Sequence, residues 1–211
     1  MLDAGCGLGG TMLDLAARGS ATFVGLTLSE QQAAVARRAA ADAGIAARID
    51  VRVASYDAPP AGPYDVAIAI ESLAHSADPA ATITALAGCL KSGGWLAIVD
   101  DMPKLEARGT RDLALFQSGW RLPALMSAAE LDAALERCGL VLAASHDLTG
   151  DVRPRTLACI ARLEGLNLAL HRVARSAGRA LLDSYHGGLA LERLYRQGLM
   201  SYRLVVARKP T

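Results

Sequence analysis

Met1-Leu2-Asp3-Ala4-Gly5-Cys6-Gly7-Leu8-Gly9-Gly10 is the stretch that decides the fold of this 211-residue chain. In it the apolar pair Met1-Leu2 and the acidic Asp3 are followed by four glycines within six positions. Glycine has no Cβ, so it adopts positive φ and lets a ligand approach the backbone closely. A helix beginning at Gly10 would point its unpaired N–H groups at that ligand. The stretch therefore predicts the end of a buried strand that leads into a phosphate- or nucleoside-binding turn.

The glycine spacing fits two classes of nucleotide site. Counted from Gly5 it satisfies G-x-G-x-x-G, the dinucleotide fingerprint. Counted from Asp3 it satisfies D-x-G-x-G-x-G, which is typical of S-adenosylmethionine (SAM) binding. A nicotinamide site requires an acid about 20 residues further on to bind the ribose hydroxyls. The chain reads Val24-Gly25-Leu26-Thr27-Leu28-Ser29 there, so the missing acid leaves an NAD-dependent oxidoreductase as a distant alternative.

Composition argues against several other classes of protein. Net charge is +1, from 22 basic and 21 acidic residues, and only 4% of residues are aromatic, so neither charge nor stacking indicates a nucleic-acid partner. The four cysteines form no C-x-x-C pair, which argues against a metal site or a disulfide framework and fits a reducing cytoplasm. We find no signal peptide and no apolar run of membrane-spanning length.

Strands alternate with helices along the chain. Predicted strands cover Ala21–Leu26, Ile49–Ala54, Tyr64–Ile70, Trp95–Asp100, Leu140–Ser145 and Tyr202–Ala207. Predicted helices cover Gly10–Arg18, Ser29–Ala43, Asp78–Leu90 and Ser127–Gly139, and a helical segment from Val152 to Gln197 is expected to break near Gly187-Gly188. This alternation predicts a Rossmann-like, doubly wound α/β fold with a mostly parallel sheet.

Ligands bind such sheets outside the carboxyl ends of the strands. Five polar residues at or just past predicted strand ends should therefore converge on one edge of the sheet. They are Asp3, Thr27, Asp57, Glu71 and Asp100.

The chain resembles the class I SAM-dependent methyltransferases over nearly its whole length. LDAGCGLGG matches the SAM loop, YDVAIAIES and LKSGGWLAIVDD are similar to the fourth and fifth strands with the intervening turn, and SYRLVVARKP resembles the antiparallel strand that closes the seven-stranded sheet. The resemblance implies one domain, residues 1–211, with a SAM-binding half at 1–104. Residues 105–126 and 152–199 would form a helical lid over a small-molecule acceptor.

A narrower resemblance lies in Gly25-Leu26-Thr27-Leu28-Ser29-Glu30-Gln31-Gln32. It is similar to a segment of cyclopropane-fatty-acid synthases and of sterol, tocopherol and natural-product methyltransferases, which holds the ribose and adenine side of SAM. Gln32 would replace the missing acid as the hydroxyl partner, and with Ser29 it also fits an S-x-x-Q capping box. Cyclopropane synthases carry a Glu immediately before the His after strand four. Ala74 precedes His75 here, which counts against cyclopropanation.

The resemblance assigns a set of residues to the cofactor. They are Asp3, Gly5, Cys6, Gly7, Gly9, Thr27, Leu28, Gln32, Tyr56 and Asp57. At the end of the third strand, Ser55 competes with Asp57 for the position of the acid that meets the adenine amine.

His75 and Glu71 are the candidate catalytic residues. His75 would serve as the base because its pKa lies near working pH, and Glu71 would bind the acceptor or the methionyl end of SAM. The alternative for His75 is a structural histidine that is hydrogen-bonded to the backbone. The alternative for Glu71 is a residue that caps the next helix. Asp100 and Asp101 are expected to cap a helix or face solvent rather than bind a metal. Trp120 is expected either to line the acceptor pocket or to pack within the lid.

The first strand is preceded by almost nothing, since only Met1 and Leu2 lead into Asp3. In the family this strand is longer and is preceded by helices, so an N-terminal segment would be missing here. We therefore expect a short central strand, an exposed sheet centre and a weakened affinity for SAM. It also motivates the alternative of a catalytically inactive, methyltransferase-like binding protein. The leucine-rich stretch Leu157–Leu170 indicates a core segment or a homodimer face.

Overall fold

The computed structural model describes residues 1–176 and 178–211, and the strands of this part of the chain form one sheet. The strands, β1 to β7, are Leu2–Ala4, Phe23–Thr27, Ile49–Val53, Tyr64–Ile70, Leu90–Pro103, Val141–Asp147 and Met200–Arg208. The helices, α1 to α7, are Gly10–Arg18, Glu30–Asp42, Pro79–Cys89, Arg111–Trp120, Ala128–Arg137, Leu157–His171 and Ser176–Arg196. None of the described helices is both long enough and apolar enough to cross a membrane.

The strands pair in the order β3-β2-β1-β4-β5-β7-β6. All neighbours are parallel except β7, which runs antiparallel to both β5 and β6. This confirms the predicted Rossmann-like, mostly parallel sheet with an antiparallel last strand. The strand order reverses at β1, which lies between β2 and β4, and the carboxyl end of such a switch point is where ligands bind.

β1 is short, as predicted, yet it is buried. Leu2 and Ala4 have no exposed surface and Asp3 is 3% exposed. β2 and β4 pair with β1 on either side, and Ile83 and Leu86 of α3 belong to the same apolar cluster as Leu2. The expected exposed sheet centre is therefore wrong, because neighbouring strands and a helix already cover these three residues.

The fifth strand is longer than the sequence predicts. Trp95–Asp100 was expected to be a strand after a turn at 91–94, but β5 begins at Leu90. Tyr64 pairs with Leu90 whereas Val66 pairs with Trp95, so the expected turn is a bulge within the β4–β5 ladder. The other strands agree with prediction to within about two residues.

The predicted helix break near Gly187-Gly188 is wrong, since α7 passes through both glycines and the break separates α6 from α7 at residues 172–175. A Cβ on Gly187 would lie 2.8 Å from Trp120 Cδ1 and 3.2 Å from the Cα of Gly119. Gly187 and Gly119 therefore permit close crossing of α7 and α4, and Gly187 does not end a helix. The crossing helices enclose an apolar cluster that also contains Ala74, just beyond β4.

Candidate functional site

A cavity of about 430 Å³ opens at the carboxyl edge of the sheet, beside β1, β2 and β4. Its lining comprises Gly5, Gly7, Thr27, Leu28, Gln32, Ser55, Tyr56, Asp57, Glu71, Ser72 and His75. Nine of these eleven residues were singled out as cofactor-binding or catalytic from the sequence, the exceptions being Ser55 and Ser72. We call this space the switch-point cavity.

The glycine turn adopts the backbone that its sequence predicts. Gly5 and Gly7 have φ values of 96° and 53°, in the region that favours glycine. A Cβ on Gly5 would lie 2.5 Å from the Cβ of Ser72, whereas a Cβ on Gly7 would meet no atom within 4 Å. Gly5 therefore allows close packing of the turn, and Gly7 leaves open space in the cavity itself.

Ser72 was missed by the sequence analysis. Its buried hydroxyl donates to the carbonyl of Ala4 at 2.6 Å, and its carbonyl accepts the hydroxyl of Tyr56 at 2.5 Å. Ser72 thus connects the end of β1 to the Tyr56 wall of the cavity. A small polar residue directly after the Glu71 strand end was the available signal for it.

Asp3, Cys6 and Gly9 lie outside the lining of the switch-point cavity. Burial raises the pKa of Asp3 to about 7, and its Oδ2 atom has no hydrogen-bond partner among the described residues. Burial raises the pKa of the Cys6 thiol to about 12. Gly9 precedes the first residue of α1 and packs under Ala36. These three residues therefore lie close to the cavity without lining it.

Thr27 and Gln32 form a hydrogen-bonded pair in the cavity wall. The Thr27 hydroxyl donates to Gln32 Oε1 at 2.7 Å and accepts the backbone N–H of Ser29 at 3.2 Å. Ser29 caps α2 by accepting the Gln32 backbone N–H. Only this half of the predicted capping box forms. In the other half the Gln32 side chain would accept the backbone N–H of Ser29, but the Thr27 hydroxyl accepts that N–H instead. Gln32, with its oxygen engaged, has its NH2 donors left to offer a ligand.

Asp57 lines the cavity, but its oxygens are already hydrogen-bonded. Its Oδ1 accepts the hydroxyls of Thr82 and Ser76 at 2.5 and 2.9 Å, and its Oδ2 accepts that of Ser55 at 3.0 Å. These bonds, that of Thr82 above all, lower the pKa of Asp57. Ser55 also lines the cavity, so the structure leaves both candidates for the adenine contact in place.

A second cavity of about 300 Å³ adjoins the first. Its lining comprises Glu71, Ala74, His75, Asp100, Asp101, Phe116, Trp120, Leu122, Val152, Leu191, Tyr195 and Tyr202. Glu71 and His75 belong to the walls of both cavities. Both segments predicted as a lid contribute side chains, Trp120 among them. We call this space the lid cavity.

His75 and Glu71 lie where the two cavities meet. The His75 backbone N–H donates to the Ser72 carbonyl in a single helical turn, and partial burial lowers the pKa of the imidazole. The ring is therefore neutral at physiological pH and can accept a proton. Glu71 has a φ of 49°, unusual for a residue with a side chain, and such strain clusters at functional sites.

The expectation that Asp100 and Asp101 face solvent is wrong. Asp100 is 7% exposed and accepts the backbone N–H groups of Ala74 and Asp101 at 3.3 and 2.9 Å, so it does cap the short turn that carries His75. Asp101 accepts the hydroxyl of Tyr195 from α7. Burial raises the pKa of Asp100 to about 7 and that of Asp101 to about 6.

The five polar residues expected at one sheet edge are distributed among three places. Thr27 and Asp57 line the switch-point cavity, Asp100 lines the lid cavity and Glu71 lines both, whereas Asp3 is buried and lines neither. In the described part of the chain, His, Cys, Asp and Glu side chains form no group of three or more that could hold a metal ion.

Comparison with known proteins agrees with this geometry. Residues 2–98 match the family described as methyltransferase domain. The ubiquinone biosynthesis O-methyltransferase of Thiobacillus denitrificans is 35% identical over 133 residues, 55% of this chain and 57% of that protein. The O-methyltransferase resE of Aspergillus sclerotiorum is 30% identical over 156 residues, 73% and 59% of the two chains. The chain thus spans less than two thirds of either relative.

A third relative matches over the whole chain. The 27-O-demethylrifamycin SV methyltransferase of Amycolatopsis mediterranei is 28% identical over 218 residues, covering 100% of this chain and 77% of that protein. The glycine turn, the switch-point cavity and these matches together support a class I SAM-dependent methyltransferase.

Solved structures share the fold at low sequence identity. Geranyl diphosphate C-methyltransferase from Streptomyces coelicolor A3(2) superposes with a TM-score of 0.77 at 23% identity, over 99% of this chain and 70% of that one. The [4+2]-cyclase SpnF gives a TM-score of 0.73 at 24% identity, over 100% and 75%. Because a cyclase has the same fold, the reaction must be argued from the site.

Proposed function

We propose that this chain transfers a methyl group from SAM to a small-molecule acceptor. The observation that carries the proposal is the pair of adjoining cavities, one at the glycine turn and one beneath α4 and α7, with Glu71 and His75 in the walls of both. A donor and an acceptor held in such cavities would meet at these two side chains. Holding two reactants in line is the main contribution that a protein makes to a displacement reaction.

The residues of the switch-point cavity fit SAM. Open space over Gly7 admits a ligand close to the backbone, and the NH2 group of Gln32 is suited to the ribose hydroxyls. Leu28 and Tyr56 supply apolar wall for the adenine ring. When bound there, SAM supplies an electrophilic methyl group on a positively charged sulfur.

The lid cavity is suited to an acceptor with an apolar body. Phe116, Trp120, Leu122 and Leu191 line it, so they would exclude water from the reacting atoms. His75, neutral at physiological pH, would take the proton that the acceptor loses. We propose Glu71 as the side chain that orients the acceptor, and a transfer of the EC 2.1.1 type.

Two relatives suggest which acceptors to test first. The names of these relatives refer to ubiquinone biosynthesis and to a demethylrifamycin. We therefore propose an acceptor from quinone-type or natural-product metabolism, bearing a hydroxyl or another nucleophilic group.

Calorimetry with SAM and with S-adenosylhomocysteine tests the cofactor half of the proposal. We expect both to bind the 211-residue chain, and Gly7→Asp to abolish binding because it places a charged side chain in the cavity. Gly88→Asp, on the exposed side of α3, is the matched control and should bind normally. Absence of binding by the wild-type chain would refute the proposal. Methylated product from an acceptor panel, detected by mass spectrometry, tests the other half.

A further inference from the structure

We infer that the lid cavity recognises a cationic amine on the acceptor and rejects anionic acceptors. This rests on the proposed methyl transfer, since it names the class of acceptor for that same cavity. It concerns recognition only, and the methylated atom can be the amine or a neighbouring hydroxyl.

Three acidic residues line the lid cavity, namely Glu71, Asp100 and Asp101. Neither lysine nor arginine occurs among its described lining residues, where His75 is the sole other titratable group apart from two tyrosines. A phosphate or carboxylate in this space would lie against carboxyl groups of its own charge. A cation would lie against groups of opposite charge.

The hydrogen bonds of these carboxyl groups bring no positive charge. Asp100 is held by backbone N–H groups, Asp101 by the Tyr195 hydroxyl and Glu71 by the Tyr202 hydroxyl. All of these donors are neutral. Burial and the neighbouring carboxylates accordingly raise the pKa of Asp100 and of Asp101, and an ammonium group in the cavity would lower both again.

Aromatic rings are concentrated around the same space. The chain has nine aromatic residues, two Phe, two Trp and five Tyr. Four of them line the lid cavity, namely Phe116, Trp120, Tyr195 and Tyr202. Aromatic walls combined with carboxylates are the chemistry that recognises ammonium groups. Leu122, Leu191 and Val152 supply the contact surface for an apolar body of the acceptor.

A metal ion fits this space less well than an organic cation. No three His, Cys, Asp or Glu side chains in the described residues form a group that could ligate a metal, although three carboxyl groups line the one cavity. The three carboxyl groups therefore do not converge on one point as metal ligands would, which favours a ligand larger than an ion.

Three probe compounds differ in charge but share a phenol ring and a two-carbon side chain. They are tyramine, which is cationic, tyrosol, which is neutral, and 4-hydroxyphenylacetate, which is anionic. Their affinities would be measured by calorimetry at pH 7.5 on the full chain saturated with S-adenosylhomocysteine. We expect tyramine to bind at least about tenfold more tightly than tyrosol, an amount within the range of one desolvated charge pair, and the anion to bind most weakly.

Asp101→Asn tests the source of the preference. The variant should lose most of the difference in affinity between tyramine and tyrosol. It should keep its affinity for S-adenosylhomocysteine, and its melting temperature should stay within a few degrees of the wild-type value. Glu71→Gln should reduce the same difference, so the test does not depend on one variant folding. Asp132→Asn, at an exposed position on α5, is the control and should keep the full preference.

The inference is overturned if tyrosol or 4-hydroxyphenylacetate binds as tightly as tyramine. It is also overturned if tyramine shows no binding at millimolar concentration to the complex with S-adenosylhomocysteine. Failure of S-adenosylhomocysteine itself to bind would instead refute the proposed methyl transfer, so the two failures are distinguishable.

Discussion

The hydroxyl of Tyr202 donates to Glu71 Oε1 at 2.8 Å, between residues 131 positions apart in the chain. The bond joins β7 to the residue that follows β4. Glu71 lines both cavities and has a positive φ, so a residue of the antiparallel strand fixes the side chain at the boundary between them.

Tyr202→Phe removes this hydroxyl and little else. We expect a loss of about 1 kcal/mol in the free energy of unfolding, as for one ordinary hydrogen bond, and a raised KM for the acceptor because Glu71 is no longer held. Affinity for S-adenosylhomocysteine should change less than twofold. Chemical denaturation, calorimetry and steady-state kinetics measure the three quantities. Tyr64→Phe, at the start of β4, is the control and should leave KM unchanged.

Alanine at Gly5 and at Gly7 should have different consequences. At Gly5 the new Cβ would lie 2.5 Å from the Cβ of the buried Ser72, so we expect Gly5→Ala to lower both stability and cofactor affinity. At Gly7 no atom lies within 4 Å, so Gly7→Ala should cost only about 1 kcal/mol of backbone strain while it weakens SAM binding at least tenfold. Thermal melts and calorimetry separate the effects, and equal destabilisation by both changes would contradict this account.

Gln32→Ala should weaken SAM binding without unfolding α2. The side-chain oxygen is engaged by Thr27, and the helix cap uses the Gln32 backbone, which remains in the variant. We expect a loss of roughly 1 kcal/mol in binding, about fivefold, as for one neutral hydrogen bond. Calorimetry with SAM measures it. Gln31→Ala, at the neighbouring exposed position, should bind as the wild type does.

The rate of methyl transfer should rise with pH through the titration of His75. Burial lowers the pKa of His75 below 6.5, so the base is protonated and inactive in acid and fully neutral by about pH 7.5. His75→Ala should reduce kcat by roughly 10²- to 10⁴-fold and remove this acidic limb. Single-turnover rates between pH 5 and 8 test it. His146→Ala, at an exposed position on β6, should keep the wild-type profile.

Asp3 should make the ligand-free chain less stable as pH rises. Burial raises the pKa of Asp3 from 3.8 to about 7, so the folded state holds the proton more tightly than the unfolded state. The stability it contributes is complete below pH 4 and is lost as pH rises to about 7. The free energy of unfolding of Asp3→Asn should therefore rise relative to that of the wild type as pH increases. Between the unfolded-state pKa of 3.8 and the folded-state pKa of about 7 the rise is up to about 1.4 kcal/mol per pH unit.

Urea denaturation at pH 5, 6, 7 and 8 measures that difference. The control is Asp14→Asn, since Asp14 is exposed on α1 and pairs with Arg18 on the surface. The difference in the free energy of unfolding between Asp14→Asn and the wild type should stay nearly constant from pH 5 to 8. A difference for Asp3→Asn that does not change with pH would show that its carboxyl group is solvated in solution.

The sequence by itself determined the fold and most of the switch-point cavity. The glycine turn, the apolar strands and the segment around Thr27 and Gln32 are local features, because turn backbone, helix caps and strand periodicity depend on residues close together in the chain. Parallel strands then bring their carboxyl ends to one edge. The resemblance to SAM-dependent methyltransferases, which rests on these local motifs, is why nine lining residues of that cavity could be named in advance.

Only the tertiary structure decided the lid cavity and the roles of several residues. Gly187 was mistaken for a helix breaker because its reason, the close crossing of α7 over α4 at Gly119, involves a helix distant in sequence. Asp101 was expected to cap a helix or face solvent because nothing near it in the chain indicates that Tyr195 covers it. Burial and pKa depend on contacts between distant segments, and those contacts exist only after the chain has folded.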